Sequence, residues 1–342
     1  MKKGVMKIFV IGGTGFISSR LVKKLLQDGH EVTIFTRGLS KNPFALKDHL
    51  TIQRGDRNKS ADLHKAIGRN NFDVVYDFAA YQPSQSRICI DLFKGKIGRF
   101  IHCSTVSVYM VSWEVQCPIT EDQDQQPLME HWPRNPFGMD YGIDKRKCEE
   151  LLWQHHDENS FAVSMLRPTF VSGPGDPARR DFFWIERIMD GRPLLVPGTG
   201  DFAFQQVYVE DAARAFVSLL EKSTSIGKVY NVAAEQIFTL NEYLQQLSRL
   251  LNKSPEMMHV DQEVFDRLPI SSHPDGDVFP FNSRRTAIFS LVRIQRDLGF
   301  RSTPFTEWML KTIEWFTQNL TEHSFGYENR EREIQYLSKY WD

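Results

Sequence analysis

Short apolar runs alternate with amphipathic stretches through the first half of the chain. Lys7 to Ile11, Glu31 to Thr36, Leu50 to Gln53, Asp73 to Phe78, Arg99 to Cys103 and Phe161 to Leu166 are strand-like, with helical patterns between most of them. Runs with little polar alternation suit strands buried on both faces. Their alternation with helices predicts a doubly wound parallel sheet, an α/β architecture of Rossmann type. After Arg167-Pro168 the texture changes. Gly173-Pro174-Gly175-Asp176-Pro177 and Pro197-Gly198-Thr199-Gly200 mark loops around helices predicted at Phe182 to Met189 and Asp211 to Leu220. Further helices are predicted at Leu240 to Leu251 and Glu307 to Asn319, and Ser271 to Asn282 reads as a proline-containing loop. The expected organisation is a first domain over residues 1–170, a smaller lobe over 171–320 with some segments returning to the first, and a polar tail over 321–342, either a surface helix or frayed.

With 342 residues, 41% of them hydrophobic, the chain can bury a sizeable core. Its 42 basic and 43 acidic residues leave a net charge of −1, so no global electrostatic pull toward nucleic acid or an anionic membrane is expected. The basic start is interrupted by glycines before a signal-like apolar stretch forms, and no run reaches transmembrane length, so a cytoplasmic location is expected. Cys89, Cys103, Cys117 and Cys148 have no Cys-x-x-Cys pairing and no histidine at ligand spacing, which predicts buried reduced thiols and no metal site. His155-His156 reads as a helix end, not a ligand pair. Phe182-Phe183-Trp184 fits either the core or a pocket wall.

The first chemical signal is Gly12-Gly13-Thr14-Gly15-Phe16-Ile17-Ser18, placed after a strand and before a helix. In a dinucleotide site the first glycine permits the tight turn, the second lets backbone approach the pyrophosphate, and the third lets helix and strand pack closely. Here serine takes the third place at some cost in packing, and the amides of Gly13 to Phe16 are expected to face phosphate at a helix N-terminus. Gly12, Gly13, Thr14, Gly15, Phe16 and Ile17 are therefore candidate cofactor residues. At the end of the second strand, Thr36-Arg37 stands where an acid would grip the adenosine ribose. A guanidinium there suits a phosphate and favours NADP over NAD.

Tyr141 and Lys145 lie four residues apart on a predicted helix, which puts phenol and ammonium on one face. A tyrosine serves as general acid or base on an alcohol or ketone only when its pKa falls, and a lysine together with a cationic nicotinamide lowers it. Ser104-Thr105 end a strand at the carboxyl edge of the sheet, where ligands bind, so Thr105 can share the substrate oxygen.

Together with Gly55-Asp56-Arg57, Asp77 to Ala80, Ser104 to Tyr109, Leu166 to Asp176 and Val207 to Phe216, these motifs resemble the extended short-chain dehydrogenase/reductase family, in its sugar-nucleotide epimerase/dehydratase branch. The resemblance spans most of the chain and implies NAD or NADP as cofactor. By it, Asp56 and Arg57 lie by the adenine, Ala79 and Ala80 along the cofactor, Thr105 and Tyr141 at the reacting carbon, and Pro168 with Thr169 beside the nicotinamide. It also implies a homodimer formed through the Tyr-Lys helix. Thr105 and Ser107 are candidate substrate contacts, and Arg179-Arg180, Arg214 or Arg284-Arg285 are candidate cations for a diphosphate. Dehydratases of this family carry an Asp-Glu pair directly after the catalytic threonine; Val106-Ser107 stands here, which disfavours dehydration. The expected function is an epimerase or ketoreductase acting on a secondary alcohol or ketone of a nucleotide-activated sugar or related small molecule. The alternative is a non-catalytic RNA-binding or cofactor-sensing protein on the same fold, because "VTIFTRG" with "GDR" resembles a branch that includes plant chloroplast stem-loop RNA-binding proteins.

Overall fold

Lys7–Ile11 (β1) sets one exposed lysine before four buried apolar residues. A strand with no solvent face belongs mid-sheet with helices on both sides. The computed structural model, which describes residues 4–39, 43–44, 48–268, 270 and 279–339, places it there. Positions 271–278 of the predicted proline-containing loop and 340–342 of the tail lie outside the described residues.

Glu31–Thr36 (β2), Leu50–Arg54 (β3), Val74–Asp77 (β4), Arg99–Cys103 (β5), Val163–Pro168 (β6) and Lys228–Val232 (β7) complete a seven-stranded parallel sheet of Rossmann type, in the order β7-β6-β5-β4-β1-β2-β3. The chain runs outward from β1 to β3 and then returns to β4 on the other side of β1. The carboxyl ends of β1 and β4 thus border a topological switch point, where such sheets bind ligands.

Helices Phe16–Gln27 (α1), Ser60–Ile67 (α2), Pro83–Phe93 (α3), Met139–Gln154 (α4), Arg180–Met189 (α5) and Val209–Glu221 (α6) follow in chain order. On one face of the sheet Leu21, Leu25 and Phe216 of α1 and α6 meet Ile8, Val10 and Ile34. On the other, Leu63, Ile90 and Leu152 of α2, α3 and α4 meet Phe9, Val75 and Phe100.

One strand prediction needs correction and one sheet strand was missed. The run predicted at Phe161 to Leu166 pairs only from Val163, because the Phe161 amide closes a turn onto the Asp157 carbonyl at 2.7 Å. The edge strand β7 was not foreseen; Gly227 followed by Lys-Val-Tyr-Asn-Val is its only local signal. The cysteines also depart in part from expectation: Cys89 and Cys148 are buried, but Cys103 is half-buried at the carboxyl end of β5 and Cys117 is exposed. Among the described residues no helix is long and apolar enough to cross a membrane.

Among the described residues the tail takes the first of its two expected forms, a surface helix, but one held firmly by its inner face. Arg330–Lys339 is helical and docks on α5 through charge. Arg187 Nη2 donates to Glu333 at 2.7 Å and Arg330 Nε donates to Asp190 at 2.8 Å, with Arg187, Arg330 and Glu333 all buried. Residues that read as solvated in sequence are buried because opposite charges distant in the chain meet them.

Asp181 lies in the apolar cluster built by α5, Leu240–Leu250 (α7) and Phe305–Asn319. Its Oδ1 accepts from Tyr243 Oη and Gln206 Nε2, both at 2.8 Å, and its Oδ2 has no hydrogen-bond partner. Burial, then the nearby Asp176, raises the carboxyl to about 6. The folded state therefore favours the protonated form; that contribution is whole below about pH 4 and is lost as pH rises through about 6. Asp181→Asn is expected to stabilise the protein by about 3 kcal/mol at neutral pH in urea unfolding, and to gain little at about pH 4. An equal gain at both pH values would count against a buried ionisation.

Candidate active site

A cleft of about 1570 Å³ opens at the switch point. Gly12, Thr14, Gly15, Phe16, Ile17, Arg37, Arg57, Ala79, Thr105, Ser107, Tyr141, Lys145, Pro168, Thr169 and Arg179 line it. Gly13, Asp56, Ala80 and Arg214 are not in its lining.

The turn after β1 explains part of this division. Gly12 has φ +80, and a Cβ there would sit 3.1 Å from the Cβ of Ala79, so only glycine lets the ends of β1 and β4 approach. A Cβ at Gly13 would come within 2.8 Å of Ile34, so glycine is required there for packing on β2. Ser18 turns out to be a clasp, not a packing defect. Its Oγ donates to the Gly12 carbonyl at 2.6 Å and accepts from the Gly15 amide at 2.9 Å. The Gly15 amide is thereby engaged inside the loop, whereas the first-turn amides of Phe16 and Ile17 at the start of α1 are left for an anion by the helix geometry.

The predicted charged contacts divide in the same way. Arg57 reaches the cleft, but its Nη1 is paired with Asp77 at 2.8 Å and its Nη2 with the Gln85 carbonyl at 2.7 Å, while its buried Nε has no partner. Asp56 caps a local turn by accepting from the Asn58 amide at 2.9 Å. Ala80 faces inward and offers its carbonyl to Lys145. Arg214 binds Asp211 and the Arg301 carbonyl on α6, away from the cleft. Arg284 pairs with Asp266 at 2.7 Å, and Arg285 donates to the carbonyls of Ser112 and Met110. Arg179 and Arg180 are therefore the candidate cations that line the cleft. Arg37 is exposed on its wall just beyond β2.

Tyr141, Thr105 and Lys145 converge. Thr105 Oγ1 donates to Ser107 Oγ at 3.2 Å and accepts from the Ser107 amide, which fixes it at the mouth of the short helical turn after β5. Burial on the protein side raises the phenol of Tyr141, although the residue is exposed overall, and the nearby Thr105 hydroxyl pulls the other way. Burial lowers the Lys145 ammonium, which donates to the carbonyls of Ala80 at 2.9 Å and Cys103 at 2.6 Å. Such an arrangement can pass a proton between the phenol and a hydroxyl held by Thr105. Pro168 ends β6 in the same wall, and Thr169 Oγ1 is tied to the Gln205 carbonyl at 2.8 Å.

Several cleft residues escaped the sequence reading. Tyr81, one position beyond the Asp77–Ala80 motif, is exposed, with its ring 6.1 Å from that of Tyr141. Residues 133–138 also line the cleft, signalled only by their prolines and glycine. Phe183 lines the cleft while Trp184 is buried, so the aromatic run is both wall and core. Ser324 and Phe325 of the tail also line it, held by Glu186, which accepts from the Ser324 amide at 3.0 Å, and by Arg179, which donates to the His323 carbonyl at 3.0 Å. Nothing local in a polar tail announces that placement.

A glycine turn at a sheet switch point, with a tyrosine, a lysine and a threonine in the same cleft, defines a nucleotide-cofactor-binding protein of the Rossmann class. Residues 8–233 match the NAD dependent epimerase/dehydratase family, and the chain belongs to it. It is 26% identical over 275 residues to chloroplast stem-loop binding protein of 41 kDa b from Arabidopsis thaliana, covering 76% of this chain and 67% of that protein. It is 25% identical over 340 residues to a trifunctional UDP-glucose 4,6-dehydratase, 3,5-epimerase and reductase of the same plant, covering 91% of this chain but only 47% of that protein. Among solved structures, a UDP-glucuronic acid 4-epimerase from Bacillus cereus in complex with NAD superposes with a TM-score of 0.69 at 22% identity, over 92% of this chain and 99% of that one.

Proposed function

We propose that this chain is an NAD(P)-dependent enzyme that epimerises or reduces a secondary alcohol or ketone of a nucleotide-activated sugar. The observation that carries the reading is that Tyr141, Thr105 and Lys145 line the same cleft as the Gly12 turn. The residues fit a dinucleotide: Gly12 keeps the approach to Ala79 open, the first turn of α1 offers amides, and Arg57 presents an orphaned Nε. When bound, the nicotinamide supplies the hydride donor or acceptor. Thr105 holds the substrate oxygen, Tyr141 takes or returns its proton, and the charge of Lys145 favours the phenolate. Arg179 and Arg180 bind the diphosphate end, and the elements after Pro168, with Ser324 and Phe325, enclose the sugar. Dehydration is disfavoured, because Val106 is apolar and Ser107 Oγ, which donates to the Phe137 carbonyl at 2.9 Å, is no acid or base at neutral pH. Arg37 on the cleft wall, with no acid at that strand end, supports NADP over NAD.

A second reading, RNA binding on the same fold, is favoured by the similarity to a stem-loop binding protein and by one surface feature. Exposed Trp113 stacks on Trp132 at 5.4 Å, with Arg285 4.5 Å from the Trp113 ring, a platform of the kind on which bases stack. The near-neutral charge argues against it.

Incubating the protein with UDP- and dTDP-sugars, while following stereoisomers and reduced cofactor, is expected to show interconversion or cofactor turnover, with NADP bound more tightly than NAD. Inertness toward the whole panel combined with tight, salt-sensitive binding of an RNA hairpin would replace the first reading with the second.

A further inference from the structure

Lys145 has three N–H donors and meets three protein acceptors. Two are the carbonyls of Ala80 and Cys103, and the third is His102 Nε2 at 3.0 Å. His102 is fully buried in β5, where period-two alternation puts it beside Phe100 on the face covered by α4. Because a lysine ammonium only donates, Nε2 must accept. The ring is then neutral with its proton on Nδ1, an atom that has no hydrogen-bond partner.

The charges around this pair matter. Asp77 and Glu149 are the carboxylates acting on Lys145, and each is already paired, Asp77 with Arg57 and Glu149 with Arg167. The remaining neighbours are thiols: burial pushes Cys103 up to about 12, and it raises Cys148 as well, so both are neutral at working pH. Lys145 therefore has no carboxylate of its own, and its charge rests on neutral acceptors. His102 is the one side chain among them.

We propose that His102 is a positioning residue for Lys145, taking the third of its hydrogen bonds and holding the ammonium charged and fixed in the wall that carries Tyr141. The inference rests on the Tyr141–Lys145 chemistry proposed above only for its effect on turnover; the hydrogen bond itself does not depend on the substrate. Burial and the adjacent Lys145 both hold the imidazole well below its ordinary pKa, so it stays neutral across the working range.

Two measurements test this. In protein labelled with ¹⁵N-histidine, two-bond proton–nitrogen correlations should show one ring, absent from His102→Gln, in the Nδ1–H tautomer and unchanged between about pH 5 and 9. An Nε2–H tautomer, or titration near the ordinary value, overturns the proposal whether or not a substrate is found. In the enzyme, His102→Phe should move the alkaline limb of the kcat profile down by about one pH unit and lower kcat at least tenfold, because a hydrogen bond to a charged group is lost. The KM for cofactor should change little. His102→Gln, whose Oε1 can accept, should restore kcat to within about threefold. A wild-type profile in His102→Phe, or equal damage in both variants, assigns His102 to packing alone.

Discussion

Replacing Tyr141 by phenylalanine is expected to lower kcat by roughly 10²–10⁴-fold while leaving cofactor affinity nearly unchanged. The ring remains, so its contact with Tyr81 and the shape of the cleft persist. What disappears is the hydroxyl that lines the cleft with Thr105 and that we propose carries the substrate proton. Because that proton moves only in the reaction, the loss belongs to kcat and not to ground-state binding. Steady-state kinetics and calorimetric titration of the cofactor check both halves. A variant that retains more than a tenth of the activity would remove Tyr141 from the chemistry.

Glu149→Ala is expected to cost about 3–5 kcal/mol of stability, the penalty for leaving a buried cation without its partner. Arg167 is wholly buried at the end of β6, and Glu149 of α4 faces it with both oxygens. Arg167 Nη1 donates to Tyr109 Oη at 2.5 Å and to the Glu121 carbonyl at 2.9 Å, and Asp124 closes the set. Glu149 also accepts the Ser104 hydroxyl, so the same carboxylate anchors the residue that precedes Thr105. The variant should therefore unfold at lower urea and also lose activity in whatever fraction stays folded. Glu149→Leu combined with Arg167→Met should recover most of the stability, since apolar replacements of a buried pair are tolerated. A single-variant loss below about 1 kcal/mol would show that Asp124 alone satisfies Arg167.

The parts of this molecule legible in sequence are those whose causes are local. Five of the six predicted strands stand within a residue of their expected bounds, because an apolar run without alternation has few alternatives to a buried parallel strand. The Tyr141 and Lys145 pair was visible because helical spacing alone puts both on one face of α4. Gly12 was visible because a turn that tight needs a positive φ.

The misses have a different origin. Arg57 and Arg214 look alike in sequence, yet one reaches the cleft pinned by Asp77 and the other is held on α6 by Asp211. Ser18 looked like a weakened glycine and is a clasp, because its hydroxyl meets the Gly12 carbonyl. A charged tail looked solvated and is docked, because Arg187 and Asp190 await its Glu333 and Arg330.

Periodicity and turn chemistry in the chain were enough to specify a Rossmann-type sheet, its glycine turn and one helix bearing a phenol and an amine. Which polar groups face the cleft, which are buried in pairs, that His102 meets Lys145 and that the tail lines the cleft were settled by folding alone. The reason is physical: the energy of a buried charge or hydrogen bond depends on partners brought together by the tertiary fold, and no window along the chain contains them.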